Sequence, residues 1–176
     1  MLFRSHRVLP RLENLERRQI RHEIETDQKF ERVFTALEGA DKRPVQGIFF
    51  DGQVFDAYRF VSDIIRRANK SIVLIDNYVD DSVLTLLGKR KSRVSALILT
   101  RTVSKQLILD LEKHNAQYPP VKIRVFKNSH DRFLIIDEEE VYHIGASLKD
   151  LGRKWFAFSR LDKEALKIMD KVRENI

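Results

Sequence analysis

Ser71-Ile72-Val73-Leu74-Ile75, leading into Asp76-Asn77-Tyr78, is the stretch on which the reading of this chain turns. Its apolar residues run without alternation, so a strand built from them has no wet face. Such a strand belongs inside a sheet covered by helices on both sides. The flanking sequence agrees. Gly47-Ile48-Phe49-Phe50 reads as a short strand ended by Asp51-Gly52. Val54 to Asn69 is amphipathic, with Phe55, Tyr58, Val61, Ile64, Ile65 and Ala68 on one side. A short helix over Ser82–Leu87 stops at Gly88, Val94–Leu99 is a strand, and Val103–Asn115 a helix. Val121-Lys122-Ile123-Arg124-Val125 alternates, which leaves one face to solvent. Phe133–Ile136 and Val141–Ile144 form a hairpin across Asp137-Glu138-Glu139-Glu140. Trp155 to Leu161 is a last strand before a C-terminal helix from about Asp162. The expected fold class is α/β: a mixed sheet flanked by helices on both faces, preceded by a long N-terminal helix.

That first helix is expected from Pro10 to Leu37, where Leu12, Leu15, Ile20, Ile24, Phe30, Phe34 and Leu37 form a narrow seam. Gln19 and Asp27 interrupt it, so a clean coiled coil is not supported, whereas self-association or docking is. Gly39 and Pro44 mark a linker. The division is therefore residues 1–43, a helical and dimerisation segment, and residues 44–176, the catalytic-type domain.

The chain has 176 residues, 43% hydrophobic and 34% charged, with no cysteine. Disulfides and thiolate metal sites are excluded, and no apolar run approaches the roughly 20 residues of a membrane span. The N-terminus lacks a signal-peptide core, and the expected location is the cytoplasm. A net charge of +7 favours a polyanionic partner. Residues 1–43 hold 10 Lys and Arg against 8 Asp and Glu, so most of the excess lies in the globular part.

His130-Asp131-Arg132 opens the segment with the clearest chemistry. On a strand, His130 and Arg132 project from one face. An imidazole beside a fork-shaped cation suits a phosphate group: one nucleophile and one fixed set of donors. Asp137 closes the apolar stretch, past the strand, and Gly145-Ala146-Ser147 follows the second hairpin strand. A turn of small residues lets backbone and hydroxyl approach an anion. Lys149, Arg153 and Lys154 follow Ser147 directly and are candidate phosphate contacts. Asp76, Asn77 and Tyr78 end a buried strand at its carboxyl end, where they either border the pocket or simply turn the chain.

On these residues the chain resembles the phospholipase D superfamily, whose signature is His-x-Lys-x4-Asp followed one strand later by Gly-Ser-x-Asn. Here the first element reads His130, Arg132, Asp137 and the second Ala146-Ser147-Leu148-Lys149. Asp56 to Asp80, with Ala68-Asn69-Lys70-Ser71-Ile72-Val73-Leu74-Ile75-Asp76-Asn77-Tyr78 within it, is similar to the family's first helix and strand, and the likeness covers roughly residues 46–176. A single copy resembles the small homodimeric nucleases. The resemblance implies a phosphodiesterase that uses neither metal nor cofactor. One histidine attacks phosphorus, while the second copy's histidine protonates the leaving oxygen and then activates water. Asp137 would orient an imidazole or hold its proton, Arg132 would grip the phosphoryl oxygens, and Ser147 would support those oxygens or the ring. The implied partners are nucleic acid and a second copy, with the site on the two-fold axis, and no membrane. The sequence departs from the pattern in three places: Arg132 replaces lysine, Lys149 stands where the family has asparagine, and Lys154–Phe158 offers no acidic counterpart.

Ser5-His6, Leu12-Glu13-Asn14-Leu15-Glu16, Asp27 and Phe30 resemble the helical tail that follows the DNA-binding domain of phage-type regulatory proteins. That likeness implies an upstream DNA-binding domain outside this chain. Two functions follow: a metal-independent homodimeric nuclease, or a phospholipase-D-like module that binds nucleic acid or dimerises without turnover. Other residues have plainer readings. His143 packs in the hairpin; Lys122, Arg124 and Lys127 line a solvated strand; Lys89–Arg93 is a basic loop. Trp155, Phe156 and Phe158 are expected in the core or a dimer interface, not as a base-stacking platform.

Overall fold

A computed structural model describes residues 17–21 and 44–175. The chain separates into two units, Met1–Pro44 and Val45–Ile176. In the first, residues 17–21 are helical; the remainder of the expected Pro10–Leu37 helix lies outside the described residues.

The second unit is built on a sheet of β1 (Gln46–Phe49), β2 (Ser71–Ile75), β3 (Ser95–Thr100), β4 (Val121–Val125), β5 (Arg132–Ile136), β6 (Glu140–Ile144) and β7 (Phe156–Arg160). Its order is β1-β7-β6-β5-β2-β3-β4. Strands β2, β3 and β4 are parallel neighbours; every other pairing is antiparallel. The sheet is therefore mixed, as expected. Between strands run α1 (Val54–Arg67), α2 (Asp81–Leu87) and α3 (Lys105–Gln117), and α4 (Ala165–Glu174) closes the chain.

The uncharged run of β2 is central because it is buried on both faces. Ile72 and Leu74 join Val61, Ile64 and Ile65 of α1, Val83 and Leu87 of α2 and Leu107 of α3 in one core. Val73 and Ile75 point the other way, against Ala165, Met169 and Val172 of α4. Helices thus cover both faces, three against one. Local signals set their ends: Asp80 caps α2 by accepting from the Ser82 N–H, and Ser104 caps α3 by accepting from the Leu107 N–H.

Arg90 departs from its reading as part of a basic loop. It is buried, and its guanidinium donates to the carbonyls of Leu87, Val94, Pro119 and Pro120. Four carbonyls offset the loss of water around that charge. Arg90 therefore ties the end of α2 to the starts of β3 and β4. Lys122 and Arg124 lie exposed on the edge strand.

The β5–β6 turn carries two non-glycine residues in the left-handed region, Asp137 at φ 56° and Glu138 at φ 63°. Aspartate tolerates that region better than most side chains. Here its carboxylate also accepts from the backbone N–H groups of Asn69, Lys70 and Ser71. The hairpin is thereby fastened to the α1–β2 corner. No described helix is long and apolar enough to cross a membrane.

Candidate phosphate-binding cleft

At the carboxyl ends of β2 and β6 and the start of β5 lies a cleft of about 620 Å³. Tyr78, Arg132, Gly145–Ser147, Lys149, Asp150 and Arg153–Trp155 line it. The segments meet because β2 and β5 are antiparallel, with Ile75 opposite Phe133. That register sets the residues after β2 beside those that open β5.

Beneath the cleft is Asp76, fully buried at 0% exposure. Its carboxylate accepts from Tyr78 N–H at 3.0 Å, Leu148 N–H at 2.9 Å and Ser147 Oγ at 2.8 Å. Burial is the largest influence on this carboxyl and raises its pKa. The hydrogen bonds and the nearby Arg132 charge pull it down without cancelling that effect. Asp76 thus locks the Ser147 turn onto the end of β2. Ser147 is itself buried, and its one hydroxyl proton lies between Asp76 and the Tyr78 carbonyl at 2.7 Å. A hydroxyl committed in this way has no proton to offer a phosphoryl oxygen. Gly145 is also committed: its N–H donates to the Ala157 carbonyl, and an added Cβ would stand 3.0 Å from that oxygen. The glycine serves strand pairing, not anion approach.

The cations are differently placed. Arg132, Lys149 and Lys154 have no hydrogen-bond or ion-pair partner among the described residues. Arg132 and Lys149 each lie 5.8 Å from the Tyr78 ring centroid, and Arg132 Nε is sealed from solvent with nothing to donate to. Arg153 is held by Asp150 at 3.4 Å. Two unpaired cations against one aromatic ring, with a third lining the same cleft, make a site for an anion with several oxygens.

Of the residues singled out from sequence, the fold brings together Arg132, Ser147, Lys149, Lys154, Asp76 and Tyr78. His130 stands at the same end of the sheet, in the β4–β5 connection, but not in the cleft lining. It is exposed and makes no hydrogen bond among the described residues. Strand β5 begins only at Arg132, so the alternation expected to pair His130 with Arg132 on one face stops short of the histidine. Asn77 anchors its segment instead, donating from Nδ2 to the Ser129 carbonyl at 2.9 Å. Asp137 is not brought to this place at all. It lies at the far end of β5, where its carboxylate is saturated by backbone N–H groups. Burial pushes its pKa up, but those bonds and the Lys70 charge outweigh it and leave the pKa below the usual value. Within one chain, then, Asp137 does not orient His130.

Trp155, Phe156 and Phe158 were expected in the core or a dimer interface: Phe156 and Phe158 lie in the core, at 5% exposure each, whereas Trp155 is 67% exposed and lines the cleft. The signal was present in the strand period: residues 155 and 157 face away from 156 and 158. Gly152 was not singled out either; it seats the loop carrying Lys149 to Trp155 against α1, and nothing in its flanks marks it.

A second concavity of about 520 Å³ lies at the opposite end of the sheet, lined in part by Arg93, Lys122, Arg124 and Arg173. Arg173 is engaged by Glu138 and Arg124 also has a partner. Arg93 and Lys122 have no hydrogen-bond or ion-pair partner among the described residues. Among the described residues no cluster of three His, Asp or Glu side chains is disposed to hold a metal ion.

No family model and no curated protein matches this chain. Solved structures do. NucT from Helicobacter pylori superposes with a TM-score of 0.56 at 16% identity, over 74% of this chain and 94% of that one. Nuc from Salmonella typhimurium, a phospholipase D family member, gives 0.56 at 16% identity, over 76% and 94%. At such identity the likeness is one of fold. The chain has the phospholipase D fold.

Proposed function

We propose that this domain is a phosphodiesterase acting on nucleic acid, working in the cytoplasm as a homodimer without metal or cofactor. The observation that carries the reading is the trio of uncompensated cations, Arg132, Lys149 and Lys154, converging on one cleft with an exposed imidazole at the same end of the sheet. A nucleic-acid backbone, with one negative charge on each phosphodiester, offers counter-charge to all three. The fold shared with two nucleases supports the same class of chemistry.

In this reading a nitrogen of His130 attacks phosphorus and forms a P–N bond. The P–O bond to the leaving alkoxide breaks, and His130 of the partner subunit supplies the proton that the alkoxide takes. Water then attacks the phosphohistidine, its proton returns to the partner's imidazole, and the P–N bond breaks to release a phosphomonoester. Arg132, Lys149 and Lys154 stabilise the charge that builds on the non-bridging oxygens. One chain supplies one such histidine, so the two-fold dimer is part of the proposal.

The test is hydrolysis of bis(p-nitrophenyl) phosphate and of oligonucleotides by the full chain in excess EDTA. Turnover is expected to persist in EDTA and to vanish in His130→Ala, with sedimentation showing a dimer. Loss of activity on chelation, or full activity in His130→Ala, overturns the mechanism.

A second reading is favoured by one observation: among the described residues no hydrogen bond orients the His130 ring, and the Asp137 carboxylate is engaged elsewhere. A nucleic-acid-binding dimer without turnover fits that arrangement. It predicts salt-sensitive binding whose affinity His130→Ala leaves unchanged.

A further inference from the structure

We propose that Trp155 is a stacking platform for an unpaired base, so that the cleft takes single-stranded rather than duplex nucleic acid; this rests on the nucleic-acid reading above. Trp155 is the one tryptophan in the sequence and is left 67% exposed at the wall of the cationic cleft. Tryptophan is enriched at interfaces, where it offers a large apolar face and a polar N–H. Its ring is also fixed in place. The indole N–H donates to the Asp51 carboxylate, and Phe50 meets the ring edge-to-face at 88° with centroids 4.9 Å apart. Its loop is seated from below by Gly152, which touches the start of α1 closely enough that an added Cβ would stand 2.5 Å from Val54 Cα.

An exposed ring held from two sides presents a surface that loses little conformational freedom when a planar group settles on it. The charges beside it decide which planar group. Lys154 adjoins it in sequence, and Arg132 and Lys149 line the same cleft, so the ligand carries anionic groups alongside its ring. A nucleotide has both. In a duplex the faces of each base are covered by its neighbours, and only an unpaired base has a face to offer. Tyr78 is the less suitable platform, because Arg132 and Lys149 already lie against its ring.

The experiment uses the intrinsic fluorescence of the full-length chain, titrated with phosphorothioate oligothymidylate, with an abasic strand of equal length and with a duplex of that length. Oligothymidylate is expected to quench the emission and to bind roughly tenfold more tightly than the abasic strand of the same charge. For variants lacking the sole tryptophan, affinity is read from the anisotropy of a dye-labelled strand: Trp155→Ala is expected to lower oligothymidylate affinity to the abasic level while leaving abasic binding unchanged, and Trp155→Phe to recover most of the difference. Equal affinity for the two strands, equal quenching by duplex, no binding of any strand, or emission that changes on protein dilution alone, as when a second copy covers the ring, each overturns the proposal. Quenching without hydrolysis of any substrate removes the phosphodiesterase reading and keeps the platform; hydrolysis without quenching does the reverse.

Discussion

Ser147 Oγ and Asp76 Oδ2 lie 2.8 Å apart in a buried hydrogen bond that joins residues 71 positions apart in sequence. This bond, with the one from Leu148 N–H, positions the turn that forms the floor of the cleft. A buried acceptor that loses its donor bears the full cost of its desolvation. Ser147→Ala is therefore expected to lower stability by about 1–2 kcal/mol in chemical denaturation. Phosphate affinity of the folded fraction should fall little, because the hydroxyl proton is already committed. A large affinity loss with unchanged stability would make Ser147 a direct ligand.

The pH dependence of Asp76 has a definite sign. Its folded pKa is raised above the ordinary carboxyl value of 3.8, so the folded state binds the proton more tightly than the unfolded chain. The contribution to stability is fully present below 3.8 and is lost as pH rises through the folded value. Asp76→Asn should remove that decline from a plot of unfolding free energy against pH. A variant that keeps the wild-type slope across this window would show that Asp76 is not its source.

Asp137 should behave in the opposite sense. Its pKa is lowered in the fold, so its contribution is present above 3.8 and disappears as pH falls through the folded value. Asp137→Ala removes the carboxylate that holds three backbone N–H groups and places alanine at φ 56°. After allowance for solvent at this partly exposed site, the expected loss is about 1–2 kcal/mol at neutral pH. Asparagine, which tolerates the left-handed backbone, should lose less. Catalytic constants of the folded Asp137→Asn protein should be near wild type, and a large fall in kcat would place the carboxylate in the chemistry after all.

Arg132 carries no counter-ion within hydrogen-bond reach, so removing it should weaken phosphate binding without unfolding the protein. Arg132→Ala is expected to cost roughly tenfold in affinity for a phosphodiester ligand. Lysine should recover only part, since it keeps the charge and loses the forked donors. Lys149→Ala and Lys154→Ala should each reduce the slope of log affinity against log salt by about 0.7 for single strands. Unaltered slopes in both would show that the nucleic acid lies elsewhere.

Gly152 has φ 69° and no room for a side chain against Gln53 and Val54. Gly152→Ala should destabilise by about 2–4 kcal/mol and displace the loop that bears Lys149, Lys154 and Trp155. Thermal unfolding read together with Trp155 emission would detect both effects. A variant as stable as wild type, with unchanged emission, would mean that the loop is seated by other contacts.

The fold was legible because burial writes itself into local pattern. The unalternating β2 run and the amphipathic face of α1 each carry their structural instruction within a few neighbours, so element order and class followed from sequence. So did the identity of the cations, since Arg132, Lys149 and Lys154 were singled out by type and spacing. What a residue does once the strands are paired is not local. Strand spacing set His130 beside Arg132 and left Asp137 past the strand; only the family resemblance gave Asp137 a role on the imidazole. In the fold β5 starts after His130, and its length carries Asp137 to the opposite end of the sheet, onto the amides of the α1–β2 corner. Asp76 looked like a strand-ending turn because its partners, Ser147 and Leu148, reach it only through the antiparallel register of β2, β5 and β6. Trp155 read as core or dimer interface because hydrophobicity reports what a side chain prefers, and only the surrounding packing decides where that preference is met. Sequence alone determined which elements form and which charges are present. The tertiary structure decided which charges are left without partners, because compensation depends on distance in space.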